Sequence, residues 1–372
     1  MSLKEIILHL GATKTATTSL QGYCLEHRAA LNAQGIDRPK VFHAGYNDML
    51  AGLYMGMPIR WAKVERLPAY SGLSKEQTRS RIRENFLAEA EAFDQERMLI
   101  SFEGFLPRTS EEIETFISLC HEVTSNISCV AAIRRQDRWA VSSYNTRLVG
   151  EIPISANPLE TMRQGQVASP VPAGMQYANC LERWAQHIPR ERFTVLAYED
   201  HPDMLQAYFD AIGYTATTPA QQRRNTGMSA FGQEVLRLAG IHELEQGEKQ
   251  QEIKKLQRCL KGIVPRGKGR LPSAAQVAAH RAHFSEDLER LKGVWLPATS
   301  KFFEDGDPYP DAPTEVSVRD DELQDYIAQA KMLREKLRRA KIEEISNSTL
   351  TPGTLKWRKA EAISRGTLGE MF

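Results

Sequence analysis

Residues 5–22 read Glu-Ile-Ile-Leu-His-Leu-Gly-Ala-Thr-Lys-Thr-Ala-Thr-Thr-Ser-Leu-Gln-Gly, a short apolar run followed by a turn of small hydroxylated residues around one lysine. Ile6, Ile7 and Leu8 predict a strand, Gly11 to Thr17 a turn, and the spacing of Leu20, Cys24, Leu25 and Leu31 a helix over 18–33. A strand-loop-helix unit leaves backbone N–H groups and the positive end of a helix dipole at the loop, where an anion can be held. Lys14 adds a full charge, and Thr15, Thr17, Thr18 and Ser19 add hydroxyl donors. The alternative is a threonine-rich turn that only caps the helix through Thr17 or Thr18.

A nucleotide-triphosphate P-loop needs two glycines with four residues between them and Lys-Ser/Thr directly after the second. Here Gly11 lies three residues before Lys14, and Thr13 occupies the place of the second glycine. Residues 14–19, Lys-Thr-Ala-Thr-Thr-Ser, instead resemble the 5′-phosphosulfate loop of sulfotransferases that use 3′-phosphoadenosine 5′-phosphosulfate (PAPS), where the usual form is Lys-Ser/Thr-Gly-Thr-Thr. Ala16 departs from that form, and its methyl group disfavours positive φ. The resemblance implies that Gly11, Thr13, Lys14, Thr15, Ala16, Thr17, Thr18 and Ser19 form the cofactor loop, with Lys14 at the bridging oxygen.

A second motif follows the apolar run Ile127 to Ile133, which delivers Arg134 and Arg135 to a strand end ahead of a helix that carries Ser142. In sulfotransferases that resemble this chain, a strand ends in Arg and a serine follows eight residues later; together they grip the 3′-phosphate. Arg134 and Ser142 match that spacing. Guanidinium binds phosphate oxygens bidentately, and a serine hydroxyl can donate to the same group. Arg135 and Arg138 stand ready for an anionic acceptor or for water alone.

Sulfuryl transfer also needs a base for the acceptor proton. Glu103 follows the run Met98 to Phe102, so a parallel sheet would project it from the same edge as the loop; related sulfotransferases use His or Glu. His43, in the long first insertion, is its rival. No His, Asp or Glu spacing calls for a metal. Two alternatives are a catalytically silent nucleotide- or phosphate-binding protein on the same scaffold and a P-loop-related kinase, against which the missing Gly-Lys-Ser/Thr counts.

Alternating strand and helix signals, with strands at 5–10, 98–102, 127–133 and 193–198, predict an α/β fold of three α/β/α layers around a mainly parallel sheet. The resemblance makes this a P-loop-like sulfotransferase fold over residues 1–300, with insertions at 35–97 and 150–175 and a mainly helical extension over 301–372. The acceptor, expected to be a carbohydrate or another small polar molecule, would be chosen by those insertions. Residues 320–342 read as an amphipathic helix for packing or homodimerisation, and the basic turn 265–270 as a solvated loop. A formal net charge of +1 gives no field that would draw nucleic acid. Five dispersed cysteines, a strand from residue 5 and no apolar run of spanning length give the expectation of a cytoplasmic enzyme without a membrane anchor, and the resemblance implies one of bacterial type.

Overall fold

The computed structural model describes residues 3–42, 48–57, 67–150, 155–161, 173–215, 227–304 and 309–346. It divides into two compact units, 1–140 with 165–224 and 274–309, and 141–164 with 225–273 and 310–372.

The first unit is built on five strands, β1 (Glu5–Gly11), β2 (Ile36–Asp37), β3 (Arg97–Ser101), β4 (Ile127–Ile133) and β5 (Phe193–Ala197). They are parallel throughout, in the order β2-β3-β1-β4-β5. The period-two alternation of strand side chains separates the two faces. Ile6, Leu8, Leu10, Met98, Ile100, Cys129 and Ala131 pack with the helices Lys75–Glu91, Ser110–His121 and Tyr177–Ala185. Ile7, Leu99, Val130 and Leu196 pack with the helices Thr17–Glu26 and Met204–Ala211. Three layers result, with the carboxyl ends of β1, β3, β4 and β5 along one edge. In such sheets ligands bind outside that edge.

The first predicted helix is in fact two, Thr17–Glu26 and Arg28–Asn32, parted at His27, whose φ of −115° and ψ of 30° are not helical. Leu25, inside the first helix, is 52% exposed, off the face that buries Leu20, Tyr23 and Cys24.

In the second unit, Val235, Leu236 and Ala239 of the helix Ala230–Glu245 share a core with Leu256 and Leu260 of Gln250–Ile263 and with Leu323, Ile327 and Ala330 of Asp320–Ser346. The terminal helix therefore spends its apolar stripe on its own unit, while Met332 and Leu337 stay exposed. Residues 265–268 of the basic turn are exposed, while Arg270 at its end is buried, pairs with Glu234 at 2.7 Å, and donates its backbone N–H to Gln233 Oε1 at 2.7 Å.

Candidate functional site

The end of β1 is shaped for a close approach. Its register against β4 slips between His9 and Gly11, a bulge that bends the chain out of the sheet. Gly11 takes φ +90°, and a Cβ there would sit 2.8 Å from the carbonyl oxygen of Glu103. Only glycine suits both constraints.

From Ala12 to Ala16 every carbonyl is taken by a donor. Ala12 O accepts from the hydroxyls of Thr15 (2.6 Å) and Thr17 (3.3 Å). Thr13 O accepts from Trp139 Nε1 (2.9 Å), Lys14 O from Arg134 Nη1 (3.1 Å), and Thr15 O from the Tyr208 hydroxyl (3.0 Å). Ala16 O accepts from the N–H groups of Ser19 and Leu20. In a trans peptide the N–H points opposite the carbonyl that shares its plane. Tying down the carbonyls of residues 12, 14, 15 and 16 therefore turns the N–H groups of Thr13, Thr15, Ala16 and Thr17 the other way, and none of the four has an acceptor among the described residues.

The backbone follows the same plan. Lys14 (φ +66°) and Ala16 (φ +68°) are left-handed, and Thr15 between them is not. Alternating handedness of this kind makes a nest of N–H groups that binds anions. Ala16 thus adopts the conformation that its methyl group disfavours. It is also the N-cap of Thr17–Glu26, with no side-chain cap. The hydroxyl of Thr17 turns back to Ala12 O, so neither Thr17 nor Thr18 caps the helix, and the simple capping turn is not what forms. Thr18 and Ser19 lie exposed on the first turn.

Arg134, at the end of β4, is brought to this loop. Its guanidinium lies 4.4 Å from the centre of the Tyr198 ring, and its own carbonyl accepts from the Tyr177 hydroxyl at 2.8 Å. Glu103 is half-buried beside Gly11, and its charge is felt by the Tyr208 phenol. Ser142 is half-buried on the helix Gln136–Arg147, among the residues of the second unit. His43 lies outside the described residues. Arg135 is buried and clamps Asp137 through Nε (3.2 Å) and Nη2 (3.0 Å), while Tyr309 donates to the same carboxylate at 2.8 Å.

Beneath the loop runs a buried polar chain that sequence reasoning missed. The β1–β3 register pairs His9 with Ser101, which places both side chains on one face. Ser101 Oγ lies 2.8 Å from His9 Nδ1, His9 Nε2 lies 3.1 Å from the Tyr208 hydroxyl, and Gln21 Nε2 donates to Ser101 Oγ at 3.1 Å. Because Tyr208 donates to Thr15 O, the chain closes with the proton on His9 Nε2 and Ser101 donating to Nδ1. Burial, with Arg38 nearby, lowers the His9 pKa to about 3, so the ring is neutral. At the end of β5, Glu199 accepts the Arg135 N–H, and burial raises its pKa. The one available signal for Tyr198 and Glu199 was their place at the carboxyl end of β5.

No family model matches the chain, and no curated protein does. A solved sulfotransferase structure from Alicyclobacillus acidocaldarius is similar to 68% of this chain and 96% of its own, at 15% identity and a TM-score of 0.35. So loose a likeness transfers no residue's role. Among the described residues, no cluster of His, Cys, Asp or Glu could hold a metal, and no helix is long and apolar enough to cross a membrane.

Proposed function

We propose that the chain is a PAPS-dependent sulfotransferase, moving a sulfuryl group to a hydroxyl of a carbohydrate or another small polar acceptor. The observation that carries this reading is the loop from Ala12 to Ala16, whose carbonyls are all bound by donors while the N–H groups of Thr13, Thr15, Ala16 and Thr17 have no acceptor among the described residues. Such a nest suits a phosphate, and the sequence around it resembles the phosphosulfate loop rather than a triphosphate loop. Lys14 would neutralise charge on the bridging oxygen as its bond to sulfur breaks. Arg134, beside the loop, would meet the 3′-phosphate. Glu103, whose backbone lies against Gly11 at the same edge, would take the acceptor proton, with His43 as the rival base.

A thermal-shift comparison tests this reading. A ligand bound only by the native state raises apparent stability by about 2.7 kcal/mol at a hundred times its dissociation constant. Adenosine 3′,5′-bisphosphate should stabilise the protein without added metal, and ATP with magnesium should do no better than ATP alone. Stabilisation by magnesium-ATP only would favour the kinase reading.

A further inference from the structure

The hydroxyl of Tyr208, on the helix Met204–Ala211, reaches the loop from 193 residues away. Its phenol is buried, and it faces His9 edge-on with ring centres 4.8 Å apart. Thr15 is buried as well and is fixed from two sides, its carbonyl by Tyr208 and its hydroxyl by Ala12 O. The Thr15–Ala16 peptide lies between the two left-handed residues, Lys14 and Ala16, just ahead of the helix, and its carbonyl direction sets where the Ala16 N–H points.

We infer that Tyr208 is a positioning residue for the phosphate loop, with His9, Ser101 and Gln21 the chain of partners that keeps its hydroxyl aimed at the Thr15 carbonyl. The inference rests on reading the loop as a phosphate site. A neutral imidazole donates from Nε2 and accepts at Nδ1, so it passes the orientation of Ser101 on to Tyr208 without burying a charge. The loop is then held in its anion-binding shape before any ligand arrives, and binding need not order it.

Calorimetric titration with inorganic pyrophosphate and with adenosine 3′,5′-bisphosphate, well below the melting temperature, tests this. Tyr208→Phe should weaken both ligands about 10-fold, and Ser101→Ala, which strips the His9 ring of its donor, should weaken both about threefold. Tyr214→Phe is the control, since the Tyr214 hydroxyl pairs with that of Tyr23 at 3.3 Å in the same core and does not touch the loop. It should leave both affinities unchanged even if it lowers the melting temperature as much. A merely structural hydroxyl would cost stability in Tyr208→Phe with wild-type affinity, and that result overturns the inference. Were Tyr208→Phe not to fold, wild-type affinity in Ser101→Ala would overturn it. Wild-type protein that binds neither ligand would instead defeat the phosphate reading, and the inference with it.

Discussion

Acid should destabilise the sheet unit through one residue. His9 is fully buried with its pKa lowered to about 3, against 6.5 for an unhindered imidazole. The unfolded chain therefore binds a proton that the native state refuses whenever the pH lies between those values, and native stability falls as the pH drops through that window. Near pH 5 the gap is about 1.5 pH units, or about 2 kcal/mol at 1.36 kcal/mol per unit, and near pH 7 the contribution is almost fully retained. The test is urea unfolding near pH 7 and near pH 5, for wild type and for His9→Gln. The variant keeps an amide to donate toward Tyr208 but removes the titrating group. It will be less stable at both pH values, so the informative quantity is the loss between them. That loss should be smaller in the variant by about 2 kcal/mol. Equal losses would mean that His9 is protonated in the folded state, and the proton assignment of the buried chain would fail.

Two further outcomes follow from the loop. Ala16 sits at φ +68°, a conformation that costs a non-glycine residue about 1–2 kcal/mol, while glycine gives up about 0.4–1 kcal/mol through the freedom of the unfolded chain. Ala16→Gly should therefore stabilise the protein by about 0.5–1 kcal/mol, read as a raised urea midpoint; a lowered midpoint would show that the methyl group packs usefully. Glu103→Gln should keep normal nucleotide binding and lose about 10²–10⁴-fold in turnover, with His43→Asn the milder change in a sulfate-transfer assay. The reverse pattern would move the base to His43.

What could be read from the chain was local. Four strands were legible: β1, β3 and β4 are mostly apolar runs buried on both faces of a parallel sheet, and β5, at the sheet edge, is a shorter apolar run that is buried only at Leu196 and Ala197, whereas β2 is two residues long inside a long insertion and carries no periodicity. The loop and Arg134 were legible as short motifs at strand ends. The donors that shape the loop were not, since Trp139, Arg134 and Tyr208 converge on it across separations of 126, 120 and 193 residues. Nothing in the strand Ile6 to Leu10 distinguishes His9 as the centre of a proton-ordered chain, because that role comes from the β1–β3 register and from a helix far along the sequence. Arg135 looked as available as Arg134, and the packing of Asp137 beside it decided otherwise.

The central claim is that the loop and Arg134 together read a nucleotide with two separate phosphates. Titration calorimetry of adenosine 3′,5′-bisphosphate and of AMP, against wild type and Arg134→Ala, tests it most directly. A charge-assisted hydrogen bond is worth about 1.5–3 kcal/mol, so wild type should prefer the bisphosphate about 10-fold or more. Because Arg134 also holds the Lys14 carbonyl, its loss should weaken both ligands, and the ratio of the two affinities is the quantity to follow. That preference should collapse in Arg134→Ala; equal affinity of wild type for the two nucleotides, or an unchanged preference in the variant, would show that Arg134 does not read the second phosphate.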